Sequence, residues 1–439
     1  MHLALVIGDA GFHQAGWRLP GSGVEQLSEL RLFQGIAQRA EQACIDSLFV
    51  ADVAGFDPAS HSSWPTNQLE PLTLLSALAA VTSRIGLIGT LSTTYTPAYN
   101  LARQVLSLDH LSGGRAGVNV VTSRGGQALY GMESLPSHAS RYRQASESLS
   151  AARELWDSWS PEAVRADKAL GRYGDPEEIY PADYQGESVK VRGALPTPRS
   201  PQGRPVVVQA GASQEGRDLA ARYADVVFTM QPDAEHAASF YHDLKDRARR
   251  QGRDPASLRV LQGVTPISAD TAELAQRHQL TLERMTDTQE ALRRFAALLG
   301  GLDYQQLNLD APVPALIREQ SLQAPASTVV RALQSLMDQG RPLREVLQAL
   351  VASRGHWTPV GSHDQVADAL AQRFEDGHTD GYVVLLADLA AGLDGLIEHL
   401  IPRLRTRGCL VSEYSGQTLR EHLHLPLPIW QRPLQGIDQ

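Results

Sequence analysis

Residues Glu70 to Ser123 read EPLTLLSALAAVTSRIGLIGTLSTTYTPAYNLARQVLSLDHLSGGRAGVNVVTS, and this stretch decides the fold class. From Glu70 onward, apolar Leu74, Leu75, Leu78, Ala79 and Val81 recur at helical spacing, and Gly86 follows Arg84 where an apolar run begins. That run, Ile85 to Thr90, reads as a strand; a loop, a second helix and a second strand at Ala116 to Val121 follow it. Helix and strand alternating in this way imply parallel β-structure with crossover helices. Ligands in such folds sit at the carboxyl ends of the strands, so Thr90, Ser92, Asn119 and Thr122 fall where chemistry would be.

The same rhythm extends in both directions. Leu3 to Gly8 and Ser47 to Ala51 precede the stretch, and Pro205 to Gln209, Asp225 to Thr229, Leu258 to Gly263 and Tyr382 to Leu386 follow it. Together these make the eight strands that a closed (β/α)8 barrel needs. Two regions interrupt the alternation. Residues 161–204 are rich in Pro and Gly, carry one short alternating strand at Ser188 to Val191, and read as a hairpin excursion before the fifth strand. Residues 269–355 are rich in Gln, Leu, Ala and Arg and read as a helical insertion between the last two strands, because an unstructured loop of that length is rare in a compact domain. Prolines in residues 408–439 suggest an extended C-terminal arm, whose end, Leu425 to Gln439, is able to embrace a neighbouring copy. The chain of 439 residues is thus expected to be a single elaborated barrel domain.

Composition narrows the partners. Forty basic against 49 acidic residues give a net charge of −9, which argues against non-specific binding to nucleic acid or an anionic membrane. The two cysteines, Cys44 and Cys409, are far apart, and no CxxC or Cys/His spacing suggests a metal site, so a reducing compartment is expected. The start MHLALVIGDAG lacks a basic n-region and reads as a first strand rather than a signal peptide. No apolar run approaches the roughly 20 residues that span a bilayer. A cytoplasmic protein is the expectation.

Several positions carry possible chemistry. In QAGASQEGRDLAARYADVVF, a strand runs into Gly211, Ala212 and Ser213 and then into a helix, presenting free N–H groups and a hydroxyl to a phosphate. Ser213 is equally suited to a plain N-cap. His138 and Tyr142, four apart, project from one face at a helix start, with Arg141 and Arg143 adding positive charge; an exposed amphipathic helix has the same pattern. Asp52 ends the second strand, His13 follows the first, and His356 follows the helical insertion. No GxSxG, HExxH or GxxxxGK[ST] occurs, and no GxGxxG follows a strand, which disfavours hydrolases and Rossmann dehydrogenases.

AGWR at Ala15 to Arg18, SLFVAD at Ser47 to Asp52, the Glu70 to Ser123 block, PRSPQGRPVVVQAGAS at Pro198 to Ser213 and VGSHDQVADAL at Val360 to Leu370 together resemble one family. It is the nitrilotriacetate monooxygenase, pristinamycin synthase and dibenzothiophene-sulfone monooxygenase group of bacterial luciferase-like flavoproteins. The resemblance implies a TIM barrel that takes reduced FMN from a separate NAD(P)H-dependent flavin reductase. With O2, it oxidises a small organic substrate through a flavin C4a-hydroperoxide. It also implies a homodimer or homotetramer. Asp52 resembles the acid that approaches the flavin ring from the second strand, and Thr90 and Ser92 the hydroxyl positions beside the ring or oxygen. His138 and Tyr142 resemble the pair near the ribityl chain and phosphate, and Gly211, Ala212 and Ser213 the phosphate loop. His13 or His356 would orient substrate or move a proton. Where the family's third strand reads more like ATAST, this chain has GTLST, so Gly89 and Leu91 are expected to reshape the surface facing the ring. The competing readings are an oxidoreductase that uses the deazaflavin F420 on the same scaffold, and a flavin-binding protein without turnover.

Overall fold

A computed structural model describes residues 1–433 apart from 57, 59, 66–68, 232, 302, 305, 306 and 323–327. Part of the helical insertion and the end of the C-terminal arm therefore lie outside the described residues. Eight parallel strands form the scaffold: β1 (His2–Ile7), β2 (Ser47–Val50), β3 (Gly86–Ser92), β4 (Ala116–Val121), β5 (Val206–Gln209), β6 (Val226–Thr229), β7 (Arg259–Val264) and β8 (Gly381–Val384). They close into a barrel in which β1 pairs with both β2 and β8. Around it lie α1 (Leu30–Gln42), α2 (Pro71–Ala79), α3 (Ala98–Leu111), α4 (His138–Trp156), α5 (Gln214–Tyr223), α6 (Ala234–Arg250) and α7 (His363–Glu375).

Local chemistry sets these elements. Glu70 caps α2 by accepting from the Leu72 and Thr73 amides, and Pro71 occupies the first helical position, where its missing N–H costs nothing. Both faces of each parallel strand are covered, so the strands are apolar almost throughout. Ala4, Phe49, Ile88, Val206, Val208, Val226, Leu261 and Val383 fill the interior, and Leu419, Leu423 and Leu425 from the C-terminal segment join the same buried cluster. The latter three close the amino end. A Cβ on Gly86 would lie 2.4 Å from Leu419 Cδ1, so glycine is what lets this plug seat. Fully burying each of the larger side chains is worth roughly 1.5–3 kcal/mol.

The segment read as an arm for a neighbour packs on its own chain. Arg420 donates to both Asp225 carboxylate oxygens at 3.0 Å, Arg259 Nε to Leu423 O at 2.9 Å, Arg199 Nη2 to Pro428 O at 2.9 Å and Trp430 Nε1 to Asp157 O at 2.9 Å. Its prolines keep it extended, and these bonds tie it to the barrel base, while Leu427 and Ile429 remain exposed.

Both interruptions are where the alternation broke. The excursion holds two antiparallel hairpins, Val164–Asp167 with Arg172–Gly174 and Ala182–Gln185 with Lys190–Gly193, rather than a single short strand. The insertion contains helices Ala272–Arg284, Thr288–Leu298, Ala315–Ser321, Thr328–Asp338 and Leu343–Ser353. Ala291, Phe295, Val313, Ile317, Leu333, Met337, Val346 and Leu350 give it a core of its own. A short parallel pair, Ile267–Ala269 with Val360–Ser362, ties its two ends together. Among the described residues, no helix is long and apolar enough to cross a membrane.

Candidate active site

Side chains alternate along a strand, and that alternation decides which residues reach the barrel mouth. Thr90 pairs in register with Asn119, and both are buried and point inward. Thr90 Oγ1 donates to Val50 O at 2.8 Å and accepts from Asn119 Nδ2 at 3.0 Å, which leaves Asn119 Oδ1 buried without a partner. One turn further out, Ser123 Oγ and Ser92 Oγ are hydrogen-bonded at 2.7 Å. The block therefore places Thr90, Ser92, Asn119 and Ser123 on one wall. Gly89 has the opposite parity: a Cβ there would sit 2.9 Å from Leu72 Cδ2 on α2, and Leu91 packs among the outer apolar clusters. These two residues face helices and do not shape the mouth, contrary to the sequence expectation. Asp52 stands exposed at the end of β2, its Oδ1 accepting from Val53 N at 2.9 Å.

The loop after β5 builds a second wall. Ser213 caps α5 by accepting from Gly216 N at 3.1 Å. A Cβ on Gly216 would lie 3.1 Å from Tyr142 Oη and 3.2 Å from Gly211, so two glycines permit a close crossing of helix start, loop and phenol. The rings of His138 and Tyr142 are 4.7 Å apart, and His138 Nδ1 is 3.8 Å from Glu215 Oε1. The helix start of α4 and the loop Gly211–Ala212–Ser213 are thus brought together at the amino end of α5, where N–H groups and the helix dipole favour an anion. Glu215 already responds to that field: its own backbone N–H, aided by the Ser213 hydroxyl, holds its carboxyl below the usual range. Arg141 and Arg143 contribute less than expected. Arg143 is 2.5 Å from Glu187, and Arg141 is buried and donates to Pro136 O.

His13 and His356 lie above the barrel. His356 stacks on Phe228 at 5.5 Å and meets Phe12 edge-on at 5.5 Å. Gly263 makes room for it, since a Cβ there would fall 2.1 Å from His356 Nδ1. His13 Nδ1 accepts from Ala15 N at 3.0 Å, which assigns the proton to Nε2. Among the described residues His13 Nε2 is buried without a partner, whereas His356 lies against the Gly263 backbone. Burial pushes His13 down to about 4 and His356 down to about 3, so both are neutral at pH 7. Their folded values lie below the ordinary 6.5. The unfolded chain then binds more protons in the interval, and stability present above pH 6.5 drains as pH falls toward 4 and below. Urea unfolding at pH 7 and pH 5 should differ by a few kcal/mol, of order 1.4 per pH unit per histidine; imidazole NMR signals that titrate near 6.5 would contradict this.

These features suit FMN. The amino end of α5 with Ser213 and Tyr142 offers a phosphate cradle, and the unpartnered atoms of Asn119 and His13 offer buried partners for a polar heterocycle. The luciferase-like monooxygenase family model matches residues 10–380. The chain belongs to the luciferase-like monooxygenases. Within that family it is 38% identical over 434 residues to the N-acetyl-S-(2-succino)cysteine monooxygenase of Bacillus subtilis (strain 168), covering 97% of each chain. It is 35% identical over 442 residues to nitrilotriacetate monooxygenase component A of Aminobacter aminovorans, covering 98% of this chain and 97% of that one. The crystal structure of DmoA from Hyphomicrobium sulfonivorans superposes with a TM-score of 0.86 at 28% identity, covering 96% of this chain and 91% of that one. This luciferase-like monooxygenase is an FMN-dependent two-component enzyme that uses reduced flavin and O2 on a small organic substrate.

One group of residues around the mouth escaped the sequence reading. Phe12, Trp64 and Arg354 come from three distant segments and meet there, with Arg354 Cζ 3.8 Å from the Trp64 ring centroid and 4.4 Å from that of Phe12. No local pattern links them.

Proposed function

We propose that reduced FMN, delivered by a separate NAD(P)H-dependent flavin reductase, lies across the carboxyl ends of β2 to β5. Gly211, Ala212, Ser213, Tyr142 and His138 would hold its phosphate end, and Ser92, Thr90, Asn119 and Asp52 would line its ring. The observation that carries this reading is the convergence at Gly216, where Tyr142 Oη, Ser213 Oγ and the α5 amides share one small space. When bound, the reduced flavin supplies the electrons that activate O2 for insertion into the substrate.

The protein's part is orientation and exclusion of water. Thr90 and Asn119 are fixed to each other and to Val50 O, so the wall beside the ring is rigid before any ligand arrives. His13, locked with its proton on Nε2, is a donor and not a cation at neutral pH, suited to holding a substrate oxygen or returning a proton. The test is an anaerobic titration with reduced FMN, riboflavin and reduced F420, followed by oxygen uptake with a flavin reductase. Saturable one-to-one binding with FMN preferred is expected; preference for F420, or equal affinity for FMN and riboflavin, would overturn the assignment.

A further inference from the structure

We propose that Arg354 anchors a carboxylate of the substrate, so that the compound oxidised by this enzyme is a small carboxylic acid. This rests on the placement of the flavin at the barrel mouth. Arg354 follows the helix Leu343–Ser353 in the left-handed region, with φ 50°, a conformation that a non-glycine side chain adopts at a cost. That turn drives its guanidinium back over the mouth, between Trp64 and Phe12.

Both rings hold the guanidinium by its π-faces, and such contacts leave the N–H edge of the fork free for a planar acceptor. Arg354 Nε is buried without a partner, and among the described residues no hydrogen bond or ion pair engages the side chain. Its acidic neighbour, Asp9, supports its charge through space but forms no hydrogen bond or ion pair with it among the described residues. Asp9 Oδ1 accepts from Gly11 N at 3.3 Å, and burial pushes the Asp9 carboxyl up, toward its uncharged form. Burial, with Arg294 adding like-charge repulsion, also works against the charge on Arg354. A desolvated cation with open donors is a strong recognition element for a carboxylate, because a bidentate pair satisfies both groups at once.

The Arg354 cluster adjoins the residues above the barrel. Phe12 meets His356 edge-on, and His356 stacks on Phe228 above the barrel interior. A ligand held at Arg354 would therefore lie beside the His356 layer with its remaining atoms free to extend toward the flavin wall. The net charge of −9 makes general attraction of anions weak, so binding of an acid has to come from a local site of this kind.

The test compares succinate and 2,2′-thiodiacetate with their dimethyl esters as calorimetric ligands of the full chain, with FMN affinity measured on the same preparations. The wild type should bind at least one acid about 30-fold more tightly than its ester, Arg354→Met should remove that difference, and Arg354→Lys should restore part of it. All three proteins should bind FMN alike. If neither acid outcompetes its ester on the wild type, or if Arg354→Met binds the acids normally, the proposal is wrong. Should Arg354→Met not fold, Arg354→Lys decides: it keeps charge without the fork, and unchanged acid affinity would also overturn the proposal. Failure of the flavin assignment would show separately, as absent FMN binding with the acid-to-ester difference intact.

Discussion

Replacing Ser213 with Asp is expected to weaken reduced FMN about 100-fold while leaving riboflavin binding unchanged. Asp caps a helix as well as Ser does, so α5 and its contact with Tyr142 should survive. What changes is the charge at the mouth of the cradle. A carboxylate facing a phosphate in a partly desolvated site costs several kcal/mol, and each 1.4 kcal/mol is tenfold in affinity. Riboflavin has no phosphate and serves as the internal control. Parallel anaerobic titrations of the two proteins supply the measurement. Equal losses for both ligands would mean that Ser213 acts only by shaping the helix start, and no loss for FMN would place the phosphate elsewhere.

The second large effect lies at the opposite end of the barrel. Arg420→Met should destabilise the fold by roughly 3–5 kcal/mol, because it takes from the buried Asp225 carboxylate its hydrogen-bonded cation, leaving only the through-space charge of Arg253 and Arg153. The two side chains are 5% and 16% exposed, and Asp225 also accepts from Val207 N at 2.9 Å. Burial pushes Asp225 up, but Arg420 and that amide outweigh it and hold the carboxyl below its ordinary 3.8. The sign follows. The pair's contribution is full above pH 3.8 and is lost as pH falls through the lower folded value. Urea midpoints should show the loss at pH 7, and Arg420→Met/Asp225→Leu should recover part of it, because the carboxylate is gone while Arg253 and Arg153 lose its charge. FMN affinity should not move, since the plug closes the amino end. A shift below 1 kcal/mol would show that the C-terminal plug is not held by this pair.

The contrast between the two ends explains what the sequence made legible. Parallel strands covered on both faces read as short apolar runs, and all eight were found that way. Of the densest blocks of family resemblance, STTY followed by NLAR, SLDHLSGGRAGVNVVTS and PRSPQGRP, the first and the end of the second lie toward the mouth, while SLDHLSGGRAG and PRSPQGRP belong largely to the base. Asp109, buried there, accepts from Gln202 Nε2 at 2.7 Å and Ala116 N at 3.0 Å, and Arg115 donates to Ile85 O at 2.7 Å. These motifs identify the family through its scaffold more than its chemistry. The hydroxyl block was different, because its position at strand ends is itself an argument about the mouth.

What was missed has physical reasons. The misreading of Gly89 and Leu91 is a parity error of one residue, and in a strand one residue separates the mouth from the helix layer. Of the excursion's hairpin strands only the one near Ser188 to Val191 was legible; others, such as Val164–Asp167, are short and mostly exposed, so no buried face marks them. The Arg354 slot draws on residues 12, 64 and 354, and only the folded chain brings them together. His13 was visible as a candidate, but its tautomer depends on the Ala15 amide and its neutrality on burial, neither of which a sequence shows.

The central claim, that reduced FMN occupies the carboxyl face between the Thr90–Asn119 wall and the Ser213 cradle, is tested most directly by anaerobic hydrogen exchange with and without reduced FMN. Protection confined to peptides covering residues 90–93, 119–124, 138–143 and 209–217, with the Arg420–Leu425 plug unchanged, is the predicted result. Protection centred elsewhere, or none at saturating flavin, would contradict it.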